Sequence, residues 1–137
     1  MYKMNPSLFY LKSATAGGVA GAVSETRWAP NTDVYTAEDG LVVKVELAGI
    51  RREDLEITVE GSRIMINGHR PDCCRSPRCR FLMMEINYGH FESVIELPPG
   101  YDLSKAKASY QNGFLRIDVP LLPDTPKHET VFVAKEK

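Results

Sequence analysis

Three histidines and three cysteines hold most of the metal-ligating and nucleophilic potential of this 137-residue chain. His69, Cys73, Cys74 and Cys79 crowd into one stretch. A structural zinc site needs four such ligands converging as a tetrahedron. Adjacent Cys73 and Cys74 do not readily turn toward one ion, and the stretch holds no Cys-x-x-Cys pair. Inert reduced thiols, redox-sensitive thiols and a metal site are the three readings left open. His90 and His128 fall at a turn and in a tail. The chain has no Ser-His-Asp spacing, no phosphate-cradling glycine loop and no His-Glu-x-x-His. Its carboxylates mostly occupy the polar positions of alternating segments, where water solvates them. The expectation is a protein with no catalytic residue, no metal and no cofactor, and not an enzyme.

What positions these residues is a series of short strands. Leu41, Val43, Val45 and Leu47 alternate with Lys44 and Glu46. The same period of two runs through Leu55, Ile57 and Val59, then Ile64 and Ile66, then Phe91, Ile95 and Leu97. It continues through Ala106, Ala108 and Tyr110, over Lys105 to Tyr110, and ends with Leu115, Ile117 and Val119. Alternation of this kind marks half-buried strands. Glu60-Gly61-Ser62 and Asn112-Gly113 separate strands, and Asn112-Gly113 is a strong hairpin turn because both residues tolerate positive φ. The best helical stretch, Arg51 to Asp54, is one turn at most. About seven strands with regular punctuation predict an all-β, immunoglobulin-like antiparallel sandwich.

Residues 1–27 read as a flexible N-terminal arm with an apolar, aromatic start, followed by a Gly- and Ala-rich stretch. Residues 28–120 form the domain. Residues 121–137 form a tail in which Pro123 and Pro126, after Pro120, block helix and ladder pairing. The hydrophobic share is 43% and the net charge −1, with basic and acidic residues interleaved. That balance gives no electrostatic case for nucleic acid. No apolar run reaches the roughly 20 residues of a membrane span. An odd cysteine count implies no closed disulfide framework, and a cytoplasmic setting is expected.

Laid out in order, these pieces resemble the small heat shock proteins and their shared α-crystallin domain. Val45-Glu46-Leu47-Ala48-Gly49-Ile50 with Arg52-Glu53-Asp54-Leu55 looks like one family segment, and Ile64 to Arg70 looks like another. Gly89-His90-Phe91 through Leu97-Pro98 follows. Ala108 to Leu115, with Asn112-Gly113, fits the family signature. Val131-Phe132-Val133 fits its C-terminal motif. Ala48 replaces the usual proline, Ser93 stands where many members carry arginine, and residues 71–80 hold cysteines in place of a Glu/Lys-rich loop.

The resemblance implies an ATP-independent holdase that binds partly unfolded client proteins, as a homodimer assembling into a larger homo-oligomer. It implies a dimerisation loop at 70–88, whose strand near Arg80 to Ile86 pairs with Asp33, Val34 and Tyr35 of the partner. Phe81, Leu82, Met83 and Met84 form a continuous apolar run suited to that exchange. The alternative is that they fill the domain's own sheet. The resemblance also implies that Val131 and Val133 seat in a neighbour's groove lined by Leu55, Ile57, Val59, Ala106 and Ala108. Leu8, Phe9, Tyr10 and Leu11 suit client binding or burial inside the oligomer. Two other functions remain: a p23-like cochaperone or single-partner binding module, and a redox- or metal-responsive sensor using Cys73, Cys74 and Cys79.

Overall fold

The computed structural model describes residues 12–13, 27–72 and 76–123. Its strands are β1 (Lys12–Ser13), β2 (Thr32–Ala37), β3 (Gly40–Glu46), β4 (Leu55–Glu60), β5 (Arg63–Arg70), β6 (Gly89–Glu96), β7 (Lys107–Gln111) and β8 (Phe114–Pro120). They form two four-stranded sheets, ordered β1-β4-β5-β6 and β2-β3-β8-β7. Every pairing is antiparallel except β1 on β4.

The alternating residues build the core. Leu41, Val43 and Val45 of β3 are buried with Leu115, Ile117 and Val119 of β8 and Ala108 of β7. Ile57, Ile64, Ile66, Phe91 and Ile95 join the same cluster from β4, β5 and β6. Each large side chain buried this way contributes about 1.5–3 kcal/mol of transfer free energy. Phe91 packs over Gly68, its register partner on β5. A Cβ at Gly68 would lie 2.4 Å from the Phe91 ring and 2.4 Å from the Asp54 carbonyl oxygen, so only glycine fits.

The turns follow local chemistry. Asn112 and Gly113 link β7 to β8 with φ of 52° and 82°. Positive φ at both central residues is the geometry whose twist matches a hairpin. The Gly113 carbonyl oxygen then accepts from the Leu47 amide at 2.7 Å, and the Tyr110 hydroxyl donates to the Leu47 carbonyl oxygen at 2.6 Å. Burial pushes the Tyr110 phenol above its ordinary pKa. Arg52–Asp54 forms a single 3-10 turn, the short helical stretch expected there.

Four details differ from the sequence reading. His90, read at a turn, lies inside β6, because its backbone pairs with His69 across the sheet. Lys105 and Ala106 are not strand. Leu103–Lys105 forms a 3-10 turn capped by Asp102, which accepts from the Ser104 amide at 3.1 Å. Val42 is buried although alternation puts it on the polar face, because it stands between Tyr35 and Asp118 in the sheet register. Thr58 is buried too, at the position where β1 covers β4.

Candidate functional site: the 71–88 loop and the sheet edges

Arg70 ends β5 and holds the base of the loop that follows. Its Nε donates to the Asn87 carbonyl oxygen at 2.8 Å, and its Nη1 to the Ala48 carbonyl oxygen at 3.1 Å. The guanidinium lies 4.3 Å from the centre of the Trp28 ring and 6.0 Å from that of Tyr88. Stacking of this kind suits the flat, weakly hydrated guanidinium. Trp28 is fixed in turn. Its indole donates to the Gly89 carbonyl oxygen at 3.2 Å, and its backbone exchanges bonds with His90 and Glu92 on the outer edge of β6.

Beyond this anchor the chain carries its apolar run on the surface. Leu82 is 92% exposed, Met83 75%, Met84 58%, Ile86 60% and Phe81 46%. No residue from 80 to 86 belongs to either sheet. These side chains therefore do not fill the domain's own sheet. β2 is the edge strand of the other sheet, and its Asp33, Val34 and Tyr35 are exposed. Val34 and Tyr35 add apolar surface at 46% and 44% exposure.

The residues expected to line a tail-receiving groove stand on two other edges. β7 borders one sheet, and β4 borders the other except where β1 lies on it. Ile57 and Ala108 are buried, while Leu55, Val59 and Ala106 are half-buried against the core. The N-terminal arm reaches this edge, with Lys12 opposite Thr58 and Ser13 opposite Val59 in parallel register. Alternation gave no sign of that contact, since two residues are too few to show a period. Leu8, Phe9, Tyr10, Leu11, Val131, Val133, Cys73 and Cys74 lie outside the described residues.

The titratable groups do not converge on a reaction centre among the described residues. No three of His, Cys, Asp and Glu stand close enough there to hold a metal ion. Arg116 and Asp118 pair with each other at 3.0 Å on the outer face of β8, and that bond raises the guanidinium pKa. A shallow pocket beside them takes Lys105, Lys107 and Asp39 but no histidine or cysteine. Register brings together one pair that sequence order conceals: His69 and His90 face each other with ring centres 4.9 Å apart. Among the described residues, no helix is long and apolar enough to cross a membrane.

Two facing, largely antiparallel sheets, only short 3-10 turns among the described residues and a long loop between β5 and β6 define an α-crystallin-type sandwich. The chain belongs to the Hsp20/alpha crystallin family, whose profile matches residues 33–134. It is 30% identical to spore protein SP21 of Stigmatella aurantiaca, over 69% of this chain and 56% of that one. It is 29% identical to small heat shock protein C2 of Rickettsia felis, over 71% of this chain and 63% of that one. It thus spans less than two thirds of either relative. A solved small heat-shock protein from Xylella fastidiosa, described as having a distinct high order structure, superposes with a TM-score of 0.64. The two share 28% identity over 79% of this chain and all of the other.

Proposed function

We propose that this protein is an ATP-independent holdase chaperone that works as a strand-exchanged dimer within a larger assembly. Family membership supports the chaperone role. The observation that carries the dimer is the exposed run from Phe81 to Met84, with Ile86 beyond it. A soluble domain rarely displays so many consecutive apolar side chains unless another chain covers them. An extended segment outside both sheets and an unshielded edge at β2 are the two halves of a strand-addition contact. In this reading residues 80–86 of one subunit pair with Asp33, Val34 and Tyr35 of the other.

Higher assembly rests on the tail. Val131 and Val133 of one dimer seat against Leu55, Ile57, Val59, Ala106 and Ala108 of another. The tail then meets an edge that Lys12 and Ser13 already share, so docking displaces or flanks the arm. Leu8, Phe9, Tyr10 and Leu11 supply adaptable apolar contacts for partly unfolded clients. The odd cysteine count suits work in the cytoplasm.

The test is light scattering from a heat-unfolding protein without nucleotide. A stoichiometric amount of this chain suppresses the scattering if the proposal is right. Unchanged scattering at an excess of the chain removes the holdase assignment.

A further inference from the structure

We propose that His69 and His90 form a two-point binding site for a divalent transition-metal ion of the imidazole-preferring kind, Zn²⁺ or Cu²⁺. The site lies outside the exchange and tail surfaces, and it does not rest on the holdase reading.

The two residues are direct register partners on neighbouring strands. Directly opposed side chains leave the same face of a sheet only about 4.5–5.5 Å apart at Cβ. Their ring centres are 4.9 Å apart and the planes meet at 70°. A zinc–imidazole bond is about 2.0–2.1 Å long, which puts each ring centre roughly 3.2 Å from the metal. Two such rings at a bond angle between about 90° and 110° have centres roughly 4.5–5.2 Å apart. The observed spacing falls inside that window, so rotation of the two side chains from their edge-to-face contact would bring one nitrogen of each toward a shared ion.

The backbone beneath the pair is held in place. Trp28 donates its amide to the His90 carbonyl oxygen at 3.3 Å, and Arg70 is bonded to Asn87 beside it. Fixed ligands lose little freedom on binding, which favours chelation. Alternation sends the Arg70 charge to the opposite face, where it stacks on Trp28, and the Arg27 charge on the histidine face is offset by Glu92. His90 is exposed and His69 half-buried, so the ion has a path from solvent. Glu92 is the nearest carboxylate along the same face of β6, and it is engaged by Arg27. The other coordination positions therefore fall to water or to a group from a second chain. Imidazole suits zinc, copper and nickel better than magnesium or calcium.

The placement gives the ion a consequence. His69 lies just before the 71–88 loop and His90 just after it, so a bound metal reinforces the ladder and the Arg70 bond that already join the two ends of that loop.

The experiment uses the full chain with Cys73, Cys74 and Cys79 changed to Ser and His128→Ala, which removes the other soft ligands. Calorimetric titration with Zn²⁺ shows one ion per chain, and excess Zn²⁺ raises the melting temperature by mass action. His69→Ala and His90→Ala, made singly, each weaken Zn²⁺ binding roughly tenfold or more, because the second imidazole acts at high effective concentration. Each also reduces the Zn²⁺-dependent rise in melting temperature at a fixed Zn²⁺ concentration. Electron spin resonance of the same Cys-to-Ser, His128→Ala parent with Cu²⁺, in which no thiol can bind or reduce the ion, gives an independent readout: coupling to two imidazole nitrogens, reduced to one in either single variant. No Zn²⁺ binding by the parent, or unchanged affinity in either variant, overturns the proposal. A single-nitrogen spectrum from that parent overturns it equally.

Discussion

The Arg70 guanidinium bonds the carbonyl oxygen of Asn87 at 2.8 Å, so the last residue of β5 holds the chain just before β6 begins. A second bond to the Ala48 oxygen and the stack on Trp28 make this one side chain a clamp on three separate segments. Arg70→Ala is expected to cost about 1.5–3 kcal/mol, the range for hydrogen bonds from a charged group. Arg70→Lys recovers only part of that, because an ammonium lacks the flat fork. Urea unfolding of both variants measures the loss, and equal stability of alanine and wild type removes the clamp.

Exposed Phe81 and Leu82 should matter to association and not to the fold. Phe81→Asp with Leu82→Asp is expected to leave the melting temperature of the isolated domain nearly unchanged. The same change puts two carboxylates into a buried strand contact and dissociates the dimer. Sedimentation velocity decides it. Intact dimers of a folded variant would place association on another surface.

Gly113 combines a positive φ with a tight neighbour. A Cβ there lies 3.2 Å from the Ala48 Cβ. Gly113→Val meets both the disfavoured backbone region and that contact, and is expected to destabilise the domain by about 1–3 kcal/mol. Gly113→Asn tolerates the left-handed region better and should lose less. Thermal unfolding ranks the two, and a valine variant as stable as wild type would contradict the turn geometry.

Tail docking is tested through Val131 and Val133. Changing both to Ala removes most of the apolar area that would enter the groove, worth about 1.5–3 kcal/mol for each valine if fully buried. The expected result is a folded dimer whose larger assembly shrinks at every concentration examined by sedimentation. Ile57→Ser should act from the receiving side but also weakens the core, so the tail variant is the cleaner measurement. An assembly of unchanged size would show that the tail does not hold it together.

By itself the sequence determined the strands and the sandwich. Period-two alternation in Leu41 to Leu47, Leu55 to Val59 and Leu115 to Val119 commits each segment to one buried face, and two such faces must cover each other. The Asn112-Gly113 pair marked its turn because few other residues accept positive φ. Tertiary structure decided what depends on register and edges. Val42 is buried because Tyr35 and Asp118 flank it, and Lys12 and Ser13 reach β4, neither of which shows as a period. Alternation through Ala106 suggested strand where the Asp102 cap instead winds a 3-10 turn, since a local side-chain bond competes with the ladder. His69 and His90 are twenty-one positions apart in the chain and meet only because β5 and β6 pair in this register. The sequence put His69 at a strand end and His90 at a turn; only the pairing of β5 with β6 makes them neighbours.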